Sequence, residues 1–274
     1  MPEGDTILRA ARTLARALEG KEIVRWWSPL PALSDGSFAG SRVARVEARG
    51  KHLLMHFDDG RVLHSHMRMT GSWHIYRPGE TWRKPERLAR AVLQTADFVA
   101  VCFNAPVLEI LTARGLSRHE RLARLGPDLL SESFDPDAAR VRLRAIQDLP
   151  IGEALLAQSA LAGIGNIYKS ESLFAAQTSP FLPVAQMSDA EIDRVVRSAR
   201  RLMSANVVSA GRTRTTRAGS TGPRYSVYRR SGLPCLSCGT RIRMRRQGTS
   251  GRSTYWCPSC QPARGAAPPG EELK

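Results

Sequence analysis

Residues 235–260 read CLSCGTRIRMRRQGTSGRSTYWCPSC: a CxxC pair, a spacer of eighteen residues, and a second CxxC pair. Two residues between paired thiolates let both sulfurs reach one tetrahedral ion at about 2.3 Å. In a chain read as cytosolic, such pairs signal metal ligands rather than disulfides. Cys235, Cys238, Cys257 and Cys260 are therefore expected to hold one structural Zn2+. Four thiolates leave no open coordination position, so the ion is given no catalytic part. The spacer has room for a hairpin. In its first strand Ile242 and Met244 alternate with Arg241, Arg243 and Arg245, which predicts one apolar and one basic face. The return strand, residues 253–256, brings in aromatic side chains. The fifth cysteine, Cys102, lies in the apolar run 98–103 and reads as a buried core thiol.

The arginines of this ribbon belong to a larger imbalance. The chain has 274 residues and a formal charge of +16, from 41 basic and 25 acidic residues. From Arg194 to Gly270 there is no Asp or Glu and there are sixteen Arg, so the whole surplus sits in the C-terminal third. A solvated face mixes signs, so this one implies a polyanionic partner. Arg suits phosphate because its planar fork holds two oxygens at once. A membrane surface is the competing polyanion, but no basic amphipathic helix with an aromatic face is present there. No run approaches the roughly 18–20 apolar residues of a membrane span. Asp5, Arg9, Arg12 and Arg16 break any secretory signal.

Upstream, two further patterns appear. Residues 5–19 carry Ile7, Ala11, Leu14, Ala15 and Leu18, one helical stripe. Residues 22–112 read as short strands, among them 43–46, 52–57, 61–66, 72–76 and 98–102, with Asp58-Asp59-Gly60 as a hairpin turn. A β-sandwich with a leading helix follows, ending near 113–125. From Asp135 the pattern turns helical over 138–147, 152–161, 166–176 and 189–205, punctuated by Pro127, Pro150 and Pro180. The fold class is thus multi-domain α+β. Residues 1–120 are the sandwich, 121–232 a helical domain, 233–262 the ribbon and 263–274 a disordered tail. Residues 211–224 read as a basic, glycine-containing loop.

Between two of these helices lies ALAGIGNIY, residues 160–168. Gly163 and Gly165 permit positive φ, and Asn166 is placed to cap the next helix. Backbone N–H groups at such a start can hold an anion, although a plain connector reads the same way. The N-terminus, MPEGDT, is the sharper signal. Removal of Met1 would leave Pro2 as a secondary amine with a pKa of about 8, the range of α-amino groups. Such an amine can attack a sugar C1′ and form an iminium, an electron sink for elimination. Glu3 can serve it as acid and base. Taken alone, Pro-Glu is also an ordinary helix start.

MPEGDT, RGKHLL around Lys51, ALAGIGNIYKSE and RSTYWCPSC together, in this order, resemble the formamidopyrimidine-DNA glycosylase/endonuclease VIII family over nearly the whole chain. The resemblance implies a helix–two-turn–helix in the helical domain and a zinc ribbon at the end. It implies a bifunctional DNA glycosylase and AP lyase of base excision repair, acting on damaged DNA, duplex or single-stranded. It makes Pro2 the Schiff-base nucleophile, Glu3 its acid/base partner and Lys51 a catalytic lysine near the lesion. His66, Asn166, Tyr228 and Arg252 fall on phosphate-contact positions, and Asp128 on an acidic position near the active site. Each also has a bland reading: a solvated lysine, a core histidine, a packed tyrosine, a helix cap.

A damaged base must leave the stack before C1′ can be reached. Met69 resembles the wedge that fills the gap in the purine-repairing branch. That branch's Arg-Arg-Phe-Gly stretch is missing, with Ala113-Arg114-Gly115 standing roughly there, and the 211–224 loop is short. Both departures place the chain nearer the endonuclease VIII branch, with oxidised pyrimidines as substrates and β,δ-elimination as the outcome. DNA is expected between the first two domains, bound by a bacterial, cytoplasmic, nucleoid-associated monomer. Two other readings stand beside this one: a family member that grips damaged DNA without cutting it, and a translation- or transcription-associated protein, since zinc ribbons and this helical turn also occur on RNA-binding chains.

Overall fold

The computed structural model describes residues 2–33, 37–208, 215–216 and 222–264. The expected tail from 265 onward, most of the 211–224 loop and Met1 lie outside the described residues. The chain divides into two compact units, Met1–Arg124 and Leu125–Lys274.

The first unit opens with α1 (Gly4–Leu18), whose buried residues Ile7, Ala11, Leu14 and Leu18 repeat at helical spacing. Eight strands follow: β1 (Arg25–Trp27), β2 (Val43–Arg49), β3 (His52–Phe57), β4 (Arg61–His66), β5 (Ser72–Tyr76), β6 (Ala89–Gln94), β7 (Val99–Phe103) and β8 (Val107–Thr112). They form two four-stranded antiparallel sheets, ordered β2-β3-β4-β8 and β1-β6-β7-β5. This is the expected sandwich with its leading helix. Alternate residues of β3, Leu53, Met55 and Phe57, share a core with Leu63, Leu93, Cys102 and the apolar face of α1. Burying each such side chain stabilises the fold by about 1.5–3 kcal/mol. Cys102 is fully buried, as its apolar run implied. Two short helices, α2 (Ala113–Arg118) and α3 (Glu120–Ala123), close the unit; the sequence pattern did not show them.

The β3–β4 hairpin turns where Asp58-Asp59-Gly60 predicted it. Gly60 takes a left-handed φ of 82°, which is why glycine stands there. Asp59 accepts hydrogen bonds from the Arg61 backbone N–H and from Ser41 Oγ, at 2.9 and 2.8 Å.

The second unit holds α4 (Pro136–Arg144), α5 (Ile151–Ala154), α6 (Asn166–Ala175) and α7 (Asp189–Val208), then the hairpin β9 (Arg243–Gln247) and β10 (Arg252–Trp256). The helix expected over 152–161 is only the short α5. The Gln158 side chain explains the early stop: its Nε2 donates to the Leu156 and Ile164 carbonyls and its Oε1 accepts from Gly163 N–H. Those bonds stabilise a turn at the expense of a continued helix. The hairpin also departs from the alternation read into it. Ile242 is buried but Met244 is exposed, so β9 has no continuous apolar face. Met244 lies opposite Tyr255, and the inward position further along β9 belongs to Gln247. Among the described residues no helix is long and apolar enough to cross a membrane.

Candidate active site

In the first unit, Pro2 is half-buried just ahead of α1 and Glu3 occupies the N-cap position. The Glu3 carbonyl accepts from Thr6 N–H and Ile7 N–H at 2.9 and 3.1 Å. Its carboxylate makes no capping bond, yet the residue is only 1 % exposed. The usual N-caps are the short Asp, Asn, Ser and Thr side chains, and the longer Glu is not among them. The Glu3 side chain is thus buried beside Pro2 without serving as a cap.

Lys51 sits on the turn joining β2 to β3, where Arg49 pairs with His52 and Gly50 has a φ of 57°. A two-residue hairpin turn of this kind needs left-handed backbone, so the glycine before the lysine is a requirement of the turn. Across β3 and β4, His52 lies opposite His66. Burial first, then the charges of His64, Lys51 and Arg68, hold the His66 pKa down at about 4, so its ring is neutral at pH 7. Beyond His66 the chain folds back on itself. Gly71 N–H donates to Met67 O at 2.8 Å and Thr70 Oγ1 to Asn104 O at 3.0 Å. Met69, at the tip of this pinned loop, is 63 % exposed.

Beside His66 lies a polar cluster that sequence reading did not assemble. His64 Nδ1 and His119 Nε2 stand 2.7 and 3.0 Å from one oxygen of Glu109, and His52 Nδ1 stands 2.8 Å from His64 Nε2. Burial pulls the pKa of His64 down, and that of His52 to about 3. For Glu109 burial acts upward, but hydrogen bonds from His64 and His119 outweigh it and leave the carboxyl lowered. No short-range motif announces this cluster, because β3, β4, β8 and the start of α3 each supply one or two members.

In the second unit, α6 is the hub. Asn166 does not cap it: Gly165 is the N-cap, in extended backbone rather than positive φ, and Asn166 is the first helical residue. Gly163 does take a positive φ, 102°, and carries the tight turn alone. The Asn166 amide instead donates to Ser253 O at 2.7 Å, beside Arg252 on β10. Lys169, fully buried, donates to Ser253 O and to Thr254 Oγ1 at 3.1 and 2.7 Å. The exposed Arg252 is thereby carried on a hairpin end tied to α6. Asp128 is brought to the same turn: Ala162 N–H donates to Pro127 O at 2.9 Å and Leu129 N–H to Ala162 O at 3.4 Å. Its own carboxylate accepts from Leu130 N–H at 3.0 Å, a local turn bond.

Glu171, one turn along α6 from Ile167, is buried under the segment carrying Tyr228. Its two oxygens accept from the backbone N–H groups of Ser226, Val227 and Tyr228 at 2.8, 2.8 and 2.7 Å, and from Thr215 Oγ1. Tyr228 is buried and its ring meets Tyr225 and Tyr255 edge-on, with centroids 5.4 and 5.3 Å away. Arg230 ties the same segment to the ribbon, donating to Ser226 O and Pro234 O at 2.6 and 2.8 Å. Lys169 and Glu171 lie inside the ALAGIGNIYKSE motif, whose resemblance assigns neither of them a part. The available signal was four adjacent polar residues, Lys169, Ser170, Glu171 and Ser172, in the middle of a ten-residue helix.

The four ribbon cysteines form no disulfide, and their sulfurs lie within 4.8 Å of one another. Cys238 Sγ is 3.4 Å from both Cys257 Sγ and Cys260 Sγ, and Cys235 Sγ is 3.9 Å from Cys260 Sγ. Sulfurs at about 2.3 Å from a tetrahedral ion are spaced about 3.8 Å apart, so the set fits one zinc ion.

Comparison with known proteins agrees with this layout. Residues 1–106 match the formamidopyrimidine-DNA glycosylase N-terminal domain and 125–218 the formamidopyrimidine-DNA glycosylase H2TH domain. Residues 232–263 match a zinc finger found in FPG and IleRS. A probable endonuclease 8 2 of Streptomyces coelicolor is 42% identical over 273 residues, covering 98% of this chain and 97% of its own length. A DNA-(apurinic or apyrimidinic site) lyase Nei2 of Mycolicibacterium smegmatis is 40% identical over 263 residues, covering 96% and 100%. The crystal structure of Lactococcus lactis Fpg (MutM) with DNA containing N7-benzyl-Fapy-dG superposes with a TM-score of 0.79 at 25% identity, covering 96% and 100%.

Proposed function

The chain belongs to the formamidopyrimidine-DNA glycosylase family, which takes in the endonuclease 8 enzymes, and from that membership we propose how its own residues work. It is a DNA glycosylase and AP lyase of base excision repair whose ribbon holds one zinc ion. With Met1 removed, the Pro2 nitrogen attacks C1′ of an extruded nucleotide. The bond from C1′ to the base breaks, the base leaves with the proton shed by the Pro2 nitrogen, and Glu3 supplies the proton that opens the sugar ring at O4′, leaving a Pro2 iminium. The iminium acidifies C2′, Glu3, now a carboxylate, takes the C2′ proton, the 3′ phosphate leaves, and a second elimination releases the 5′ phosphate. Water then frees Pro2. The observation that carries this reading is Glu3, buried beside the amine with a carboxylate that does not cap its helix.

Lys51 assists near the lesion. His66, Asn166, Tyr228 and Arg252 position the backbone, Asp128 supports the site, and Met69 enters the stack where the base has left. Exposure of Met69 on a pinned loop supports the last role. Oxidised pyrimidines are the proposed substrates, in duplex or single-stranded DNA. The relatives' endonuclease 8 names and the Ala113-Arg114-Gly115 stretch favour them. The chain is proposed to work as a monomer on the nucleoid of a bacterial cytoplasm. Borohydride reduction with abasic-site DNA tests the chemistry. A covalent adduct is expected, lost in Pro2→Gly and Glu3→Gln. No adduct from protein with a processed N-terminus refutes it.

A further inference from the structure

Four of the six histidines, His52, His64, His66 and His119, line one cavity of about 260 Å³ in the first unit, together with Val107, Glu109, Glu120 and Arg121. Strand register brings them there. His52 lies opposite His66 and His64 opposite Glu109, and residues two apart on a strand share a face. The grouping of His64, Glu109 and His119 would suggest a metal site. The distances argue otherwise. Donors around a zinc-sized ion at about 2.0–2.1 Å stand about 3.3 Å apart, whereas the Glu109 oxygen lies 2.7 and 3.0 Å from its two nitrogens. Hydrogen bonds set this geometry.

The bonds have one consistent direction. A carboxylate only accepts, so His64 donates from Nδ1. A neutral imidazole then has a lone pair at Nε2, so His52 must donate to it from Nδ1 at 2.8 Å. From the other side, Arg68 N–H donates to His66 Nδ1 at 3.2 Å, which puts the His66 proton on Nε2. The His52 ring, fixed by that chain, packs edge-on against His66 with centroids 4.7 Å apart.

We propose that Glu109, His64 and His52 are positioning residues: they lock the His52 ring against His66 so that the His66 Nε2–H is presented to a DNA phosphate. The proposal rests on the reading of His66 as a phosphate contact. Glu109 is the member to perturb, because its side chain is 39% exposed and lies on edge strand β8.

Long-range 15N–1H spectra of the imidazoles, with binding and trapping on abasic-site DNA, test it in the zinc-loaded protein. The wild type should show His64 and His52 protonated on Nδ1 and His66 on Nε2. Glu109→Ala should scramble His64 and His52. Glu109→Gln should restore them, since its amide oxygen still accepts. Glu109→Ala should weaken binding about tenfold, the worth of one such hydrogen bond. The trapping rate at saturating DNA should not change. His66→Ala should weaken binding by the same factor, and the double variant should be no weaker than His66→Ala alone. A wild-type His64 protonated on Nε2, or a double variant weakened by the product of the two single effects, overturns the proposal. A wild type that forms no trapped adduct instead overturns the enzymatic reading on which the proposal stands.

Discussion

Replacing Glu171 by Gln asks how much the polar interior of α6 contributes. Four donors converge on the Glu171 carboxylate, three of them backbone N–H groups that cannot rotate away. In Glu171→Gln one oxygen becomes an NH2 group. The less damaging rotamer turns that group toward Ser226 and Thr215, because the Thr215 hydroxyl can swing to another acceptor. The half-buried Ser226 N–H is then orphaned, at about 1–3 kcal/mol, and the two remaining bonds drop from charged to neutral strength, about 1 kcal/mol each. The sum is about 3–5 kcal/mol. At roughly 2–4 °C per kcal/mol for a unit of this size, the melting temperature should fall by about 6–20 °C. The assay is calorimetry combined with hydrogen exchange of the Ser226, Val227 and Tyr228 amides. Those amides should lose protection before the rest of α6, and affinity for abasic-site DNA should fall with them if Tyr228 holds phosphate. A variant that melts within about 1 °C of wild type, with those three amides equally protected, refutes the reasoning.

Chelating the zinc should unfold β9 and β10, since metal binding and folding are coupled there, and should strand the Lys169 ammonium without Ser253 and Thr254. Circular dichroism should report the loss, and DNA affinity should fall in the same titration. Met69→Ala should leave stability within about 0.5 kcal/mol, because the side chain is exposed, yet slow base excision more than cleavage at a ready-made abasic site. Equal slowing on both substrates would remove Met69 from the proposed wedge. The Arg61 side chain, through its hydrogen bond, holds the Asp59 carboxyl down at about 2, against an ordinary 3.8. Its stabilising effect is present above about pH 4 and is lost as the pH falls through about 2. Asp59→Asn should therefore cost about 1 kcal/mol at pH 6, solvent screening included, and nothing near pH 2, measured by urea unfolding.

The amino-acid sequence was sufficient wherever the deciding interaction lies within a few residues. The CxxC pairs, the Asp58-Asp59-Gly60 turn, the period-2 runs of β3 and β4 and the stripe on α1 all act at short range. Their physics is local: ligand reach, left-handed backbone, and one buried face per element. Local reading failed in the same terms. Asn166 has the chemistry of a cap, but Gly165 takes that position and Asn166 reaches Ser253, 87 residues away. Met244 alternates correctly and still faces outward, because alternation fixes a side and not what covers it.

Tertiary structure alone decided the partners of the buried polar groups. Glu171 meets donors 44 to 57 residues away and Glu109 meets a histidine 45 residues back. A buried polar atom must find a partner wherever the fold brings one, so nothing in its immediate neighbours records which one it will be. Pro2 and Glu3 lie between these cases. Their order along the chain suggested a nucleophile and its acid, but only the folded helix start revealed that the carboxylate is buried without being used as a cap.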